Sequence, residues 1–365
     1  MSFSQLLNLH KTSNQKFIII GSALIENESQ EPISGHLYLL NINGDNNYNI
    51  KKLSEIKTIG GIYKVINKNN LIFVSIANNL LIYNLIENVE KNVYEFILLK
   101  KINDFILIND LSIFNENELL ICDINRSITL FNFNQEENKL NEICRDYDLS
   151  WIYGNSQCGS NIQYVTDIDG NIITLFKTKN PTNDEEKYKF GRKAYFNYGE
   201  RINKMITTKI KANYLKEICF NNLDNNNNNS NSNINSNNNN NNSNDSNNNN
   251  VDNDEIEIIY FGTLEGSIGI IIQLNKEIFD FLNKLENLIL TKTISNGNFD
   301  SKKWRSYKDG FRIKEKKGFI EGNIIEDFLN YDDEYRREII KELNYPWKKD
   351  INDIINIIET LVKYH

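Results

Sequence analysis

Histidine is scarce in this sequence, and its three copies lie too far apart to suggest a metal site. They are His10, His36 and His365, and neither an HExxH motif nor a Cys/His array accompanies them. The chain also contains no Gly-x-Ser-x-Gly nucleophile elbow, no Walker loop and no glycine-rich dinucleotide turn. We therefore predict that the protein is not an enzyme and that it binds no metal and no cofactor.

Cysteine is also rare, and its spacing argues against a disulfide framework. Cys122, Cys144, Cys158 and Cys219 are widely separated and form no CxxC motif. Buried free thiols in a reducing compartment are the expected outcome. The N-terminus lacks the apolar stretch of a signal peptide, and no run approaches the ~20 apolar residues of a membrane span. We expect an intracellular, soluble protein.

Positive charge is in deficit, with 41 Lys and Arg against 49 Asp and Glu and a net charge of −8 at pH 7. Sequence-independent binding to nucleic acid depends on clustered cations that release counterions from phosphates, so this balance argues against that mode. Two mildly basic stretches, at 201–216 and 302–317, keep a nucleic-acid interaction open as an alternative.

What the chain does have is a repeated hairpin, an apolar run followed by a polar turn and a second apolar run. The first two intervals between its turns are 47 and 44 residues. A period of about 40–50 residues with several strands in each unit is typical of a β-propeller blade. The four turns are at 78–79, 125–126, 169–170 and 265–266.

Further apolar segments before and after these hairpins bring each unit to four strands, and another hairpin occupies 17–42. We therefore predict a mainly β protein with a partial or open β-propeller of about five to six blades over residues 1–275. Residues 221–250 are almost entirely Asn with scattered Ser and Asp, which cannot form a packed core. We interpret them as a disordered insertion in a surface loop.

After residue 275 the apolar period changes to that of a helix. Ile278, Phe281, Leu282, Leu285 and Ile289 share one helical face. Shorter helical patterns follow at 322–330 and 331–343, and the last begins with Asp350 as a cap. Residues 276–365 are therefore predicted to form a small C-terminal helical domain.

Several of these segments resemble the cleavage-and-polyadenylation-factor A family. The resemblance is carried by YFGTLEGSIGII, WRSY (304–307) and GFIEGNIIEDFL (318–329), and within the propeller by RDYDLSW (145–151) and DINRS (123–127). Among the branches of the family, the chain is most similar to the large subunit of the UV-damaged-DNA-binding complex, the adaptor of cullin–RING ubiquitin ligases. The other branches act in mRNA 3′-end processing and splicing.

The resemblance implies most of the third propeller of that adaptor plus its helical domain. It also implies that the first propeller, the cullin-binding second propeller and the opening part of the third are missing. Either the gene is a truncated paralogue or the reading frame is incomplete. Contacts to substrate-receptor-type partners would then fall on matching positions of the propeller. These partner-binding candidates are Ile82, Tyr83, Ile124, Arg126, Arg145 and Trp151.

Three hypotheses about function remain open at this point. The first is a non-catalytic interaction scaffold involved in DNA-damage recognition and repair, acting in the nucleus and in part in the cytoplasm. The second is a nucleic-acid-associated factor of the RNA-processing branches. The third is a degenerate fragment, because an open ring would expose sheet edges that invite aggregation. An alternative role for Tyr83 and Trp151 is packing inside a blade. The alternative for Arg126 is an ion pair with Asp123, and the alternative for Arg145 is an ion pair with Asp146 or Asp148.

Overall fold

The computed structural model describes residues 2–7, 16–26, 31–43, 49–68, 70–88, 93–115, 117–134, 136–137, 139–148, 150–159, 161–178, 180–211, 218, 255–293, 300–343 and 350–364. The predicted insertion at 221–250, together with His10, Cys219 and His365, lies outside the described residues.

Four antiparallel sheets of four strands follow one another along the chain, each a meander in sequence order. The first contains β1 (Ser2–Leu7), β2 (Lys16–Gly21), β3 (Ser34–Asn43) and β4 (Asn49–Ile59). The second contains β5 (Ile62–Lys68), β6 (Leu71–Ile76), β7 (Asn79–Asn88) and β8 (Val93–Ile102). The third contains β9 (Ile108–Asn115), β10 (Glu118–Asp123), β11 (Ser127–Asn134) and β12 (Lys139–Arg145). The fourth contains β13 (Ile152–Cys158), β14 (Ile162–Asp167), β15 (Asn171–Phe176) and β16 (Gly191–Asn197).

A fifth sheet has three strands, β17 (Ile202–Lys211), β18 (Glu255–Thr263) and β19 (Ile268–Ile272). A two-stranded hairpin comes later in the chain, formed by β20 (Tyr307–Asp309) and β21 (Arg312–Lys314). The predicted hairpins are confirmed, with one small shift. The turn of the second sheet lies at 77–78 because Ala77 adopts a left-handed φ of 50°, and Asn79 already begins β7.

The first strands of successive sheets contact one another, β1 with β5, β5 with β9, and β9 with β13. Each inner sheet is also buried on both faces. Ile72 and Val74 of β6 belong to a core shared with the first sheet, whereas Leu71 and Phe73 belong to a core shared with the third. Radial packing of this kind is how propeller blades bury their residues. The prediction of a mainly β chain with a partial propeller followed by helices is therefore confirmed.

The helices lie mostly after the fifth sheet. They are α1 (Asp184–Tyr188), α2 (Lys276–Lys292), α3 (Ser301–Trp304), α4 (Gly322–Glu326), a 3₁₀ helix at Asp327–Asn330, α5 (Asp333–Leu343) and α6 (Ile351–Val362). The apolar face predicted for 276–292 is buried as a whole. Asp350 caps α6 in a capping box with Asp353, as its position predicts.

The chain divides into two compact units. One comprises Met1–Met205, Phe261–Ile268 and Lys302–Phe319, and the other Ile206–Tyr260, Gly269–Ser301 and Ile320–His365. The first unit contains the four four-stranded sheets and the β20–β21 hairpin. The second has its own apolar core, which includes Phe281, Leu285, Phe328 and Ile358. The predicted boundary between residues 275 and 276 stays a prediction. None of the helices in the described ranges is both long enough and apolar enough to cross a membrane.

Candidate partner-binding site

Turns and linkers meet at one end of the sheets in the first unit. The linker leading into a sheet is hydrogen-bonded to the turn between that sheet's second and third strands. Ile124 N donates to Leu107 O at 3.0 Å in the third sheet, and Ile168 N donates to Trp151 O at 3.0 Å in the fourth. Leu264 N donates to Arg201 O at 2.9 Å in the fifth sheet. We call this end of the unit, with its turns and linkers, the turn face.

Buried aspartates at the ends of β10 and β14 fix two of these turns. Asp123 Oδ1 accepts a hydrogen bond from Asn125 N at 3.0 Å, and its Oδ2 accepts one from Ile106 N at 2.8 Å. Asp167 Oδ1 accepts from the backbone N–H groups of Asp169 and Asn171, both at 3.0 Å. Burial raises the pKa of Asp167 to about 6, although these hydrogen bonds favour the ionised form. The side chains displayed by the turns are therefore held on a rigid support.

Large apolar side chains are exposed along the turn face. Nine of them, in its turns and linkers or at the adjoining strand ends, are at least 46% exposed. Large exposed apolar surface on a folded unit is typical of an interaction site, since solvent exposure of such groups is unfavourable. The nine residues are Leu24, Ile25, Ile33, Ile59, Ile106, Tyr147, Trp151, Leu264 and Ile268.

Three of the six sequence candidates lie on the turn face. Trp151 is 46% exposed in the linker before β13, with its carbonyl bonded to Ile168 N. Ile124 and Arg126 lie in the turn between β10 and β11, where Ile124 is half-buried and Arg126 is exposed. Among the described residues, Arg126 forms no ion pair, because the Asp123 carboxylate is occupied by backbone N–H groups. The candidate surface is thus built from a Trp, an Ile and an Arg.

Arg145 lies at the end of β12, and its surroundings differ from the prediction. Its Nε donates to Glu142 Oε1 at 2.6 Å, and its guanidinium lies 5.6 Å from the Tyr147 ring centroid. The predicted pair with Asp146 or Asp148 is wrong. Arg192 from the next sheet forms ion pairs with both of those carboxylates. Arg145 keeps a half-buried guanidinium beside an exposed tyrosine, so it stays a candidate for partner contact.

Ile82 and Tyr83 of β7 point into the cores on the two sides of the second sheet. Ile82 is completely buried in the core shared with the third sheet, and Tyr83 is 6% exposed in the core shared with the first. Burial raises the pKa of Tyr83 above its ordinary value, as expected for a phenol away from water. Both side chains serve packing, and we leave them out of the candidate surface.

Arg192 was not found by sequence reasoning, yet it organises the linker that carries Trp151. Its Nε donates to Asp146 Oδ1 at 3.1 Å, and its Nη2 donates to the Asp148 carbonyl at 3.2 Å. Burial alone would lower the pKa of Arg192, but the charges of Asp146 and Asp148 raise it above the ordinary value. The sequence offers one weak signal, an arginine inside the strand segment GRKAYFN.

A second polar network joins the first strands of the sheets. Asp110 of β9 forms an ion pair with Lys64 of β5 and accepts a hydrogen bond from Asn155 Nδ2 of β13 at 2.8 Å. Gln163 Nε2 of β14 donates to Asn155 Oδ1 at 2.8 Å. Burial and the charge of Lys64 together lower the pKa of Lys204. The ion pair and hydrogen bonds tie the second, third and fourth sheets together, and Lys204 of β17 brings in the fifth. All of these residues lie on the first two strands of their sheets.

The buried thiols are poorly suited to nucleophilic chemistry. Cys122 and Cys144 are free thiols, and both are buried together with Cys158, as predicted. Burial raises the pKa of Cys144 to about 12 and that of Cys122 well above its ordinary value, so both are protonated at neutral pH. Within the described residues, no group of three or more His, Cys, Asp or Glu side chains is placed to hold a metal ion.

The family model described as "CPSF A subunit region" matches residues 2–330, which include all five sheets, the β20–β21 hairpin and the turn face. The chain belongs to the CPSF A subunit family. The match contains all six candidate residues and the motifs WRSY and GFIEG that carry the resemblance.

Individual relatives are distant. DNA damage-binding protein 1 of Drosophila melanogaster is 22% identical over 361 residues, which cover 96% of this chain and 27% of that protein. DNA damage-binding protein 1 of Oryza sativa subsp. japonica is 22% identical over 247 residues, covering 68% of this chain and 19% of the relative. The protein of the same name from Solanum lycopersicum is 20% identical over 361 residues, covering 96% and 28%. The chain therefore spans about a quarter of the length of the relatives it matches.

The WRSY segment of this CPSF A subunit region is packed against the fourth sheet. Arg305 Nη1 donates to the Tyr198 carbonyl at 2.6 Å, and its guanidinium lies 5.2 Å from the Phe196 ring centroid. Tyr307 is 1% exposed, and its ring centroid is 5.5 Å from that of Tyr195. These contacts give the motif a structural role.

Proposed function

We propose that the chain is a non-catalytic interaction scaffold that binds a protein partner through the turn face. The observation that carries this proposal is the set of exposed apolar side chains on turns and linkers held by backbone hydrogen bonds and, at Ile106, by the buried carboxylate of Asp123. A rigid display of this kind lowers the entropy lost on binding. Trp151 and Arg126 are the residue types that most often dominate the affinity of an interface.

The family indicates what the partner would be. The relatives are named for binding damaged DNA, and the chain covers only a part of each. We infer that the partner is a substrate-receptor-type subunit of a cullin–RING ligase and that the complex acts in the nucleus in DNA-damage recognition and repair. In this scheme the scaffold contacts the receptor, and any contact with DNA is indirect.

The proposal is tested by co-purification of the full chain with purified receptor-type subunits. Trp151→Ala and Arg126→Ala should each weaken binding about tenfold, because both remove a side chain suited to be an interface anchor. Ile97→Ala serves as the control, since Ile97 is exposed to nearly the same extent as Trp151 but lies within β8 and in none of the turns or linkers. Equal binding by all variants would refute the role of the turn face.

A further inference from the structure

The β20–β21 hairpin displays two apolar side chains to solvent. Its strands pair Lys308 with Ile313 and Asp309 with Arg312, which leaves Gly310 and Phe311 as a two-residue loop. Phe311 is fully exposed, and Ile313 is 76% exposed. A short hairpin with such residues outside is unusual, because an isolated two-stranded ribbon is marginally stable in water.

The hairpin is firmly attached to the fourth sheet. Asn171 Nδ2 donates to Lys308 O at 2.6 Å, and Lys308 N donates back to Asn171 Oδ1 at 3.1 Å. Arg312 Nη1 lies 3.3 Å from Asp148 Oδ1, and the preceding Tyr307 is buried. The exposed tip is therefore carried on an anchored base.

The loop itself is fixed by Asp309. Its Oδ1 accepts hydrogen bonds from Phe311 N at 3.0 Å and from Arg312 N at 2.8 Å, while its Oδ2 accepts from Arg312 Nε at 3.0 Å. An aspartate that bonds the backbone two residues ahead mimics a backbone turn. The backbone of Phe311 is thus held in a defined position before any partner arrives, which reduces the backbone entropy lost when the side chain is used as an anchor.

The two faces of the hairpin differ in character. Arg312 and Lys314 both reach Asp148, so Ile313 between them lies on the opposite face. Lys308, directly across from Ile313, shares that outer face, and its ammonium group lies 5.0 Å from the Trp304 ring centroid. Trp304 is itself 45% exposed. We call Trp304, Phe311 and Ile313 the hairpin patch.

The charge around the hairpin patch is opposite to that of the chain as a whole. Residues 302–317 contain eight Lys and Arg and two Asp and Glu, in a chain with a net charge of −8. Lys302, Lys303 and Lys317 are exposed at the edge of this segment. A partner that complements the segment must therefore bring apolar side chains for the patch and carboxylates for its rim.

We propose that the hairpin patch binds an acidic amphipathic peptide segment of a partner protein, with its apolar side chains on Phe311 and Ile313. The structure favours this partner over nucleic acid. Arg312 and Lys314 form ion pairs with Asp148, so these two cations are not directed to phosphates. The patch also combines the exposed aliphatic Ile313 with the rings of Trp304 and Phe311, whereas a base-stacking platform consists of aromatic rings. The site goes beyond the proposed function, because its apolar side chains belong to the hairpin segment and call for their own partner chemistry, while the base of the hairpin contacts Asp148 in the linker that carries Trp151.

The probe is a phage-displayed library of random peptides, selected on the full chain and followed by fluorescence anisotropy with the enriched peptides in synthetic form. We expect enriched sequences with apolar residues flanked by Asp and Glu. Their affinity should fall about tenfold or more in Phe311→Ser and in Ile313→Ser. Ile97→Ala, an exposed position on β8 of the second sheet, is the control that should leave this affinity unchanged.

Three outcomes would overturn the proposal. The first is no enrichment above background, or peptides that bind Phe311→Ser as tightly as the parent chain. The second is binding of a labelled single-stranded oligonucleotide that falls steeply with salt and is lost in Phe311→Ser, which would assign the patch to nucleic acid. The third is self-association of the parent chain in light scattering that Phe311→Ser abolishes, which would make a second copy the occupant. Circular dichroism of each variant confirms that it is folded.

Discussion

Arg192 and Asp146 form a buried ion pair between two neighbouring sheets. Arg192 Nε is 3.1 Å from Asp146 Oδ1, and both side chains are less than a tenth exposed. Asp146 also accepts a hydrogen bond from Ser127 Oγ at 2.7 Å, which ties it to β11. The pair therefore joins β16 to the end of the third sheet and fixes the linker that carries Trp151.

Arg192→Met should destabilise the protein by about 3–5 kcal/mol, since it leaves the Asp146 carboxylate buried without its cation. Arg145→Met is the matched control. The pair of Arg145 with Glu142 is about a third exposed on both sides, so its loss should cost about 0–1 kcal/mol. Urea denaturation of both variants measures the difference. Similar free energies of unfolding for the two would contradict the importance assigned to the buried pair.

Substitution of Ile82 should lower the stability of the protein, whereas substitution of Trp151 should weaken partner binding. Ile82→Ala removes atoms from a completely buried side chain and should lower the free energy of unfolding by about 2–5 kcal/mol. Trp151→Ala should lower it by less than about 1 kcal/mol, because the side chain is nearly half exposed.

Thermal denaturation and partner co-purification of the Ile82→Ala and Trp151→Ala variants test these expectations. The expected pattern is a destabilised Ile82 variant that binds its partner normally below its melting temperature, and a stable Trp151 variant that binds it about tenfold more weakly. The reverse pattern would place the binding surface on β7.

The hairpins and the long helix could be predicted because their apolar periods are regular. Successive residues of a strand, such as Ile72 and Phe73, point alternately into two cores, and the buried apolar residues of α2 repeat at helical spacing. β1 and β4 were not identified individually, since their sequences, SFSQLL and NIKKLSEIKTI, mix polar and apolar residues without a clear period. Strand pairing with β2 and β3 decides their conformation.

The site was harder to predict than the fold, because it depends on which side chains meet in space. The sequence places Arg145 next to Asp146, but the closer partner of that aspartate is Arg192, 46 residues away. The β20–β21 hairpin has a lysine-rich sequence with three-residue strands, and its pairing with Asn171 spans 137 residues. Neither contact leaves a local pattern in the chain.

Asp167 should make stability depend on pH. Its pKa is raised from the ordinary value of 3.8 to about 6 in the folded state, mainly by burial. The folded protein then holds a proton that the unfolded chain has released, so this contribution is fully present below the unfolded pKa and is lost as the pH rises through about 6. Between about pH 5 and pH 7.5 the loss is about 1.4 kcal/mol.

Asp167→Asn removes this titration and keeps a similar shape. The difference in urea stability between the parent protein and the variant should therefore shift by about 1.4 kcal/mol between the two pH values, with the parent losing more at the higher pH. Ser112→Ala is the control. It retains Asp167, so its urea stability should change with pH in the same way as that of the parent protein. A difference that stays constant with pH would mean that Asp167 ionises at its ordinary pKa.

Gly170 and Gly310 provide a last test of the turn face. Gly170 has a φ of +76°, and a Cβ at this position would lie 2.8 Å from the carbonyl oxygen of Glu200 in the neighbouring linker. Gly310, in the hairpin loop, has no atom within 4 Å of its Cβ position and no left-handed φ. Gly170→Ala should therefore cost about 1–3 kcal/mol of stability, whereas Gly310→Ala should change it by less than about 0.5 kcal/mol.

The measurement is the urea midpoint of each variant, with co-purification of the turn-face partner as a second readout. Gly170→Ala must displace either its own turn or the linker at 198–201, because the obstructing atom belongs to the backbone. We expect weaker partner binding along with the loss of stability, since the displaced segments form part of the turn face. If Gly170→Ala is as stable as Gly310→Ala, the close approach of turn and linker is not a feature of the folded protein.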